Sequence, residues 1–139
     1  MHIDPANKIV QLCAMGIELE ATKPEEAKAL FMQAWNASSN DLEKCIAAHY
    51  VARHQSSTEE KLQWDKTALE FALKIDGSHI KSYYPSLYLN IAKCYEDMND
   101  HDNASVNYQN ALNYENNLPE DGYGQMIRSG IRNGLKRIL

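Results

Sequence analysis

Between Tyr95 and Ala104 the chain reads YEDMNDHDNA, with four carboxylates, two asparagines and a histidine in ten residues. A calcium loop is built from such oxygen-rich stretches, with ligands at alternate positions, a glycine at the sharp turn and a bidentate glutamate closing the site. Counted from Asp97, the third ligand slot holds His101, the glycine slot Asp102 and the glutamate slot Tyr108. Counted from Asp100, Ala111 falls in the closing position. The spacing fails as a metal loop, and the acids must owe their place to something else.

Other chemistry-bearing residues fare similarly. Cys45 and His49 stand one helical turn apart, which would suit two ligands of one metal, but no second pair completes a shell. There is no GxSxG elbow to hold a nucleophile beside a base, so no enzyme activity is expected. Gly122, Gly124, Gly130 and Gly134 lack the GxxxxGK[ST] spacing of a phosphate loop and follow no strand. Gly130 and Gly134, flanking Ile127, Ile131 and Leu135, are instead expected to let the last helix lie close to its neighbours. No cofactor is implied by any of these patterns.

The 139 residues suit a single domain, and 44% hydrophobic with 24% charged residues is a globular composition. Cys13, Cys45 and Cys94 are widely separated and set in apolar helical patterns, as reduced core thiols are. The start MHIDPANKIVQLC has neither the basic region nor the apolar run of a signal peptide, and no membrane span is present, so a cytoplasmic location and no membrane partner are expected. Residues 1–125 carry ten Lys/Arg against 19 Asp/Glu, whereas residues 126–139 carry four Lys/Arg and no acid. So acidic a body repels phosphate backbones, which argues against nucleic acid as a partner.

The elements that must position these residues read as helices. Asp4-Pro5 and Thr22-Lys23-Pro24-Glu25 are helix starts, followed by Ile9, Leu12, Cys13, Gly16 and Leu19, then by Ala27, Leu30, Phe31, Ala34 and Trp35. Asn40-Asp41 opens a third helix through about His54, and the capping box Ser57-Thr58-Glu59-Glu60 a fourth through about Ile75, stopped by Asp76-Gly77. Pro85 begins a fifth through about Met98, and a sixth runs from about Asp100 to Tyr114. LPEDG starts the last, with Tyr123, Ile127, Ile131, Leu135 and Ile138 along one side. Period-two alternation is absent, so the prediction is an all-α chain of seven helices.

The segment YLNIAKCYEDMNDHDNASVNYQNAL resembles a tetratricopeptide repeat, the roughly 34-residue helix–turn–helix unit with a W-x2-L-G-x2-Y…A-x3-F…P pattern. Tyr88 stands for the tryptophan, Ile91-Ala92 for Leu-Gly, Tyr95 for the tyrosine, Ala104 and Tyr108 for the second-helix pair, and Ala111 for the alanine beyond. In the first hairpin Leu12, Met15-Gly16, Leu19, Ala27, Phe31 and Ala34 follow the pattern with a turn one residue short. The middle hairpin keeps Ala68, but Lys61 and Asp65 replace the small and aromatic residues, and Trp64 shifts the bulk by one position. The resemblance implies a single TPR-like helical solenoid over 1–139, with antiparallel hairpins at about 5–38, 40–75 and 85–116 and a capping helix at about 120–138. On it, YEDMNDHDNA is the turn of the third hairpin: Asn99 takes the left-handed position, and Asp100 and Asp102 begin the next helix.

The same resemblance implies a non-enzymatic adaptor or scaffold that binds a protein or peptide in a concave groove lined by the first helix of each hairpin. On the fifth helix the groove face would offer Leu89, Asn90, Lys93 and Asp97, and on the third Ile46, Tyr50, Arg53 and His54. Asn90 and Lys93 would grip amides and carboxylates, Arg53 a carboxylate fork, and Tyr50 an apolar side chain. Cys13 and Ile17 on the first hairpin depart from the full carboxylate clamp of the family. Two other uses stay open: a homodimer formed by pairing of the last helix's apolar stripe, and an accessory RNA-binding or RNA-modification role for Arg128, Arg132 and Lys136, which otherwise complement the helix dipole and the acidic body.

Overall fold

The computed structural model describes residues 4–139, and among them it contains seven α-helices and no strand. They are Lys8–Leu19 (α1), Pro24–Ala37 (α2), Asp41–Ala52 (α3), Thr58–Leu73 (α4), Tyr84–Asp97 (α5), His101–Asn113 (α6) and Gly122–Ile138 (α7). Short 3-10 turns at Ser78–Ser82 and Glu115–Asn117 complete the order. No helix is long and apolar enough to cross a membrane among the described residues. The chain divides into two compact units, one ending at Ile75 and the other spanning Asp76–Leu139.

Most helix starts obey the capping residues in the sequence. Asn40 accepts from the Glu43 amide at 2.9 Å, Ser57 from Glu60 at 3.1 Å, Asp100 from Asn103 at 3.2 Å and Asp121 from Gly124 at 2.9 Å. Each of these satisfies one of the free N–H groups that a helix leaves at its start. The first two starts differ from expectation. Asp4 and Pro5 form a turn closed by the Asn7 amide on the Asp4 carbonyl, and it is the Asn7 side chain that caps α1, accepting from Ile9 and Val10. Lys23 precedes α2 without any side-chain cap, leaving Pro24 to set the first turn. The capping box is half realised too, because Glu60 accepts from the Ser56 hydroxyl at 3.3 Å.

In the first unit α1 packs on α2, α2 on α3 and α3 on α4. Its core joins Ile9, Leu12 and Cys13 of α1 to Ala27, Phe31 and Ala34 of α2 and to Ala47 and Val51 of α3. The Phe31 ring lies so close to Gly16 that a Cβ there would overlap it. Trp35 and Trp64 meet edge to face at 5.0 Å, and Lys44 sits 4.2 Å above the Trp35 ring while donating to its carbonyl. Asp65 of α4 is 2% exposed and receives Lys61 Nζ at 2.7 Å. A carboxylate that deep requires such a partner, since an unpaired buried charge costs several kcal/mol.

In the second unit α5, α6 and α7 pack on one another. Ala92, Ala104 and Tyr108 form one buried cluster, and Ala111, Leu118, Ile127 and Ile131 another. At the start of this unit Gly77 adopts φ 106°, open to glycine at little cost, and the Ser78–Ser82 turn buries Ile80. On α7 the buried line is Gly124, Ile127, Ile131 and Gly134, with Leu135 and Ile138 half-buried. Tyr123 does not join that stripe and is 44% exposed, because Gly124 is the residue turned inward, against the Pro119 carbonyl.

Candidate functional site

YEDMNDHDNA is the α5–α6 turn. Asn99 sits at φ 61°, the Asp100 amide reaches the Tyr95 carbonyl and the Asn99 amide that of Glu96, both at 2.9 Å, the paired closure of a Schellman helix end. Asp100 accepts from both the backbone and the side chain of Asn103, which holds its carboxyl below the usual range. Asp97 receives Lys93 Nζ at 2.7 Å. The Glu96 carboxylate accepts the Tyr108 hydroxyl at 2.7 Å and a two-pronged contact from Arg137 at 2.8 and 3.1 Å. No group of three His, Cys, Asp or Glu side chains gathers as metal ligands among the described residues.

Cys45 and His49 lie on α3 inside the first unit. Burial pushes the Cys45 thiol up to about 12. Burial, together with the nearby positive charges of Arg53 and Lys61, brings the His49 imidazole down to about 4. A thiol so hard to ionise is a poor metal ligand or nucleophile at neutral pH. Cys13 is likewise raised to about 12 by burial.

At the end of α3 the four predicted residues separate by role. Ile46 packs into the core, and Tyr50 stacks on Phe31 at 5.4 Å. Arg53, the residue that ends α3, spreads its guanidinium over Tyr50 at 5.6 Å and pairs with Glu20 at 3.0 Å. His54 takes the other Glu20 oxygen at 2.8 Å and stacks on Phe31 at 5.6 Å. Beside it Lys28, Phe31, Met32, Val51, His54 and Gln55 line a cavity of about 30 Å³, the room of a single water. Arg53 thus presents a half-exposed cation that is already oriented by a carboxylate.

On α5, Asn90 is half-buried, while Lys93 and Asp97 are exposed and paired with each other. Leu89 is turned toward Gly130 of α7, 3.1 Å from where a Cβ would stand. The basic residues of α7 divide too. Arg128 donates to the carbonyls of Glu115, Leu118 and Pro119 and to the Glu120 carboxylate. Arg132 holds both oxygens of Glu115 at 3.0 Å. Two of the three cations that look like a stripe in sequence, Arg128 and Arg132, therefore hold the chain's own acids and carbonyls, as does Arg137 beside them, and Lys136 is exposed in the last turn.

Sequence reasoning missed the acidic halves of these pairs. Glu20 is 34 residues from His54, and Glu96 is 41 from Arg137, so no local spacing couples them. The available signal was an excess of cations at one end, which called for acids somewhere else. No protein-family model matches this chain, and comparison with curated proteins and with solved structures finds no significant match.

Proposed function

We propose that the chain is a non-enzymatic recognition module of tetratricopeptide-like helical pairs, each unit offering exposed residues to a peptide or protein segment, at α3 in the first and at α5 in the second. The observation that carries this reading is the register of the α5–α6 pair. Ala92, Ala104, Tyr108 and Ala111 are each fully buried, and the turn between the helices closes at Asn99, as the repeat pattern requires. With that face buried, α5 turns Lys93 and Asp97 outward with Asn90 at the edge, and at the end of α3 Arg53 is exposed over a half-buried Tyr50.

Recognition would proceed by exchange of partners. Lys93 rests on Asp97 at the surface, where such a pair is worth at most about 1 kcal/mol, while the half-exposed Arg53 rests on the mostly buried Glu20 carboxylate. An incoming carboxylate can therefore take Lys93 at little cost and share Arg53 with Glu20, and the Asn90 amide can bond a backbone group. Three free, buried cysteines support placing this activity in a reducing, cytoplasmic setting. The reading is tested by affinity capture from native lysate with wild type and with Arg53→Gln combined with Lys93→Gln. Loss of the captured partner with unchanged helical circular dichroism is expected, and undiminished capture by the double variant overturns it.

A further inference from the structure

Three of the eight tyrosines meet in the second unit. Tyr88 of α5 and Tyr114, the residue that ends α6, lie parallel within 4°, with ring centroids 6.2 Å apart. Tyr84, buried at the start of α5, stands edge to face against Tyr114 at 4.9 Å and against Tyr88 at 6.4 Å. Such edge-to-face contacts favour one setting of the rings, which leaves Tyr88 and Tyr114 as two aligned phenols. Both are half-buried, so each keeps an edge within reach of a small oxidant. Burial, with the Tyr114 and Tyr84 hydroxyls close by, pushes the Tyr88 phenol up, so it stays protonated at neutral pH. Accessible thiols quench phenoxyl radicals, and Cys13, Cys45 and Cys94 are all buried.

We propose that Tyr88 and Tyr114 are an oxidative cross-linking site, at which a one-electron oxidant of the peroxidase class, acting with hydrogen peroxide, joins the two rings by a carbon–carbon bond. Each phenol gives up one electron and its hydroxyl proton. The two phenoxyl radicals join through ring carbons next to oxygen, and the hydrogens on those carbons pass to the oxygens as both rings regain aromaticity. Two electrons and two protons leave the chain and reduce one peroxide to two waters. Tyr84 takes no bond, because it lies across both rings and its burial keeps the oxidant away. The turn at Asn99 closes one end of the α5–α6 pair, and Tyr88 and Tyr114 stand toward the other, so the bond makes a closed loop of the hairpin. A cross-link of this kind removes conformations from the unfolded chain, and the oxidised pair becomes a covalent staple within the second unit. The inference is independent of the recognition reading, since neither Arg53 nor Lys93 takes part.

The full-length chain, dilute and folded, is treated with a haem peroxidase and limiting hydrogen peroxide, and the monomer is recovered by size exclusion. Blue dityrosine emission and a mass lower by two hydrogens are expected in that monomer, with proteolysis and mass spectrometry placing the bond between Tyr88 and Tyr114. Tyr88→Phe and Tyr114→Phe, each keeping its ring and its helical circular dichroism, should lose the intramolecular bond, whereas Tyr84→Phe should retain it. The same treatment in urea should scatter cross-links over other tyrosines. A wild-type monomer without the bond overturns the proposal, as does a bond that maps to other residues, above all to Tyr123, which is 44% exposed and so the open competitor. An equal yield of the Tyr88–Tyr114 bond in urea overturns it too, because the folded alignment would then play no part. Should a phenylalanine variant lose helicity, the mapping on the wild-type chain, folded against urea, decides alone.

Discussion

Replacing Glu96 by Gln keeps the shape of the side chain that Arg137 and Tyr108 hold and removes its charge, and the cost should follow pH. In the fold the Arg137 fork, aided by the Tyr108 hydroxyl and opposed by burial, brings the Glu96 carboxyl from its ordinary 4.5 to about 2. A gap of that size caps its contribution at about 3.4 kcal/mol. Because Arg137 is 46% exposed, water screens the pair, and about 1.5 kcal/mol is the working expectation. A carboxyl depressed in the fold stabilises fully above its unfolded pKa and ceases to do so as pH falls through the folded one. Wild type should therefore exceed Glu96→Gln by about 1.5 kcal/mol at pH 6.5, with the difference shrinking from about pH 4.5 downward and vanishing near 2. Urea denaturation at several pH values, followed by near-ultraviolet tyrosine dichroism, measures it, because every tyrosine except Tyr50 lies beyond Asp76. A difference that is absent at pH 6.5, or that persists unchanged at pH 3, refutes the reasoning.

Gly134→Ala should destabilise by about 1–3 kcal/mol, because its methyl must displace the fully buried Tyr108 ring, and a lowered melting temperature reads this out. Native Cys13 and Cys45 should resist a thiol reagent at pH 8 and react promptly in urea; rapid labelling of the folded chain would contradict their burial. His49 should titrate near 4 by proton NMR, and since its folded pKa lies below the ordinary 6.5, it should subtract stability as pH falls from about 6.5 toward 4; a midpoint near 6.5 would contradict that environment. Asn99→Gly should hold or slightly raise stability while Asn99→Ala lowers it by about 1 kcal/mol, because only the former tolerates φ 61° freely; equal melting temperatures would count against that turn.

The helices were legible because their signals are local. Caps at Asn40, Ser57, Asp100 and Asp121 and the left-handed Asn99 follow from a residue and its near neighbours, and each stands where the sequence puts it. The start of α1 was misplaced because Asp4 and Asn7 both offer capping oxygens, and only Asn7 also donates from its side chain to Glu43 of α3, a tie no local pattern contains. The Ser78–Ser82 turn escaped notice for a similar reason, since one buried isoleucine among polar residues carries no period. At the candidate surface the cations were visible and their partners were not. Glu20 and Glu96 carry no local mark of their role, because only packing brings Arg53, His54 and Arg137 against them.

The perpendicular pair of Trp35 and Trp64 has an optical consequence. These are the chain's two indoles, both before Asp76 and 5.0 Å apart, so their transitions couple and the excitation of one is shared with the other. The Lys44 ammonium over Trp35 adds a fixed positive field that shifts the emission wavelength as long as α2 and α3 stay together. The chain thereby carries its own luminescent gauge: indole emission reports on the packing of the first unit, where both rings lie.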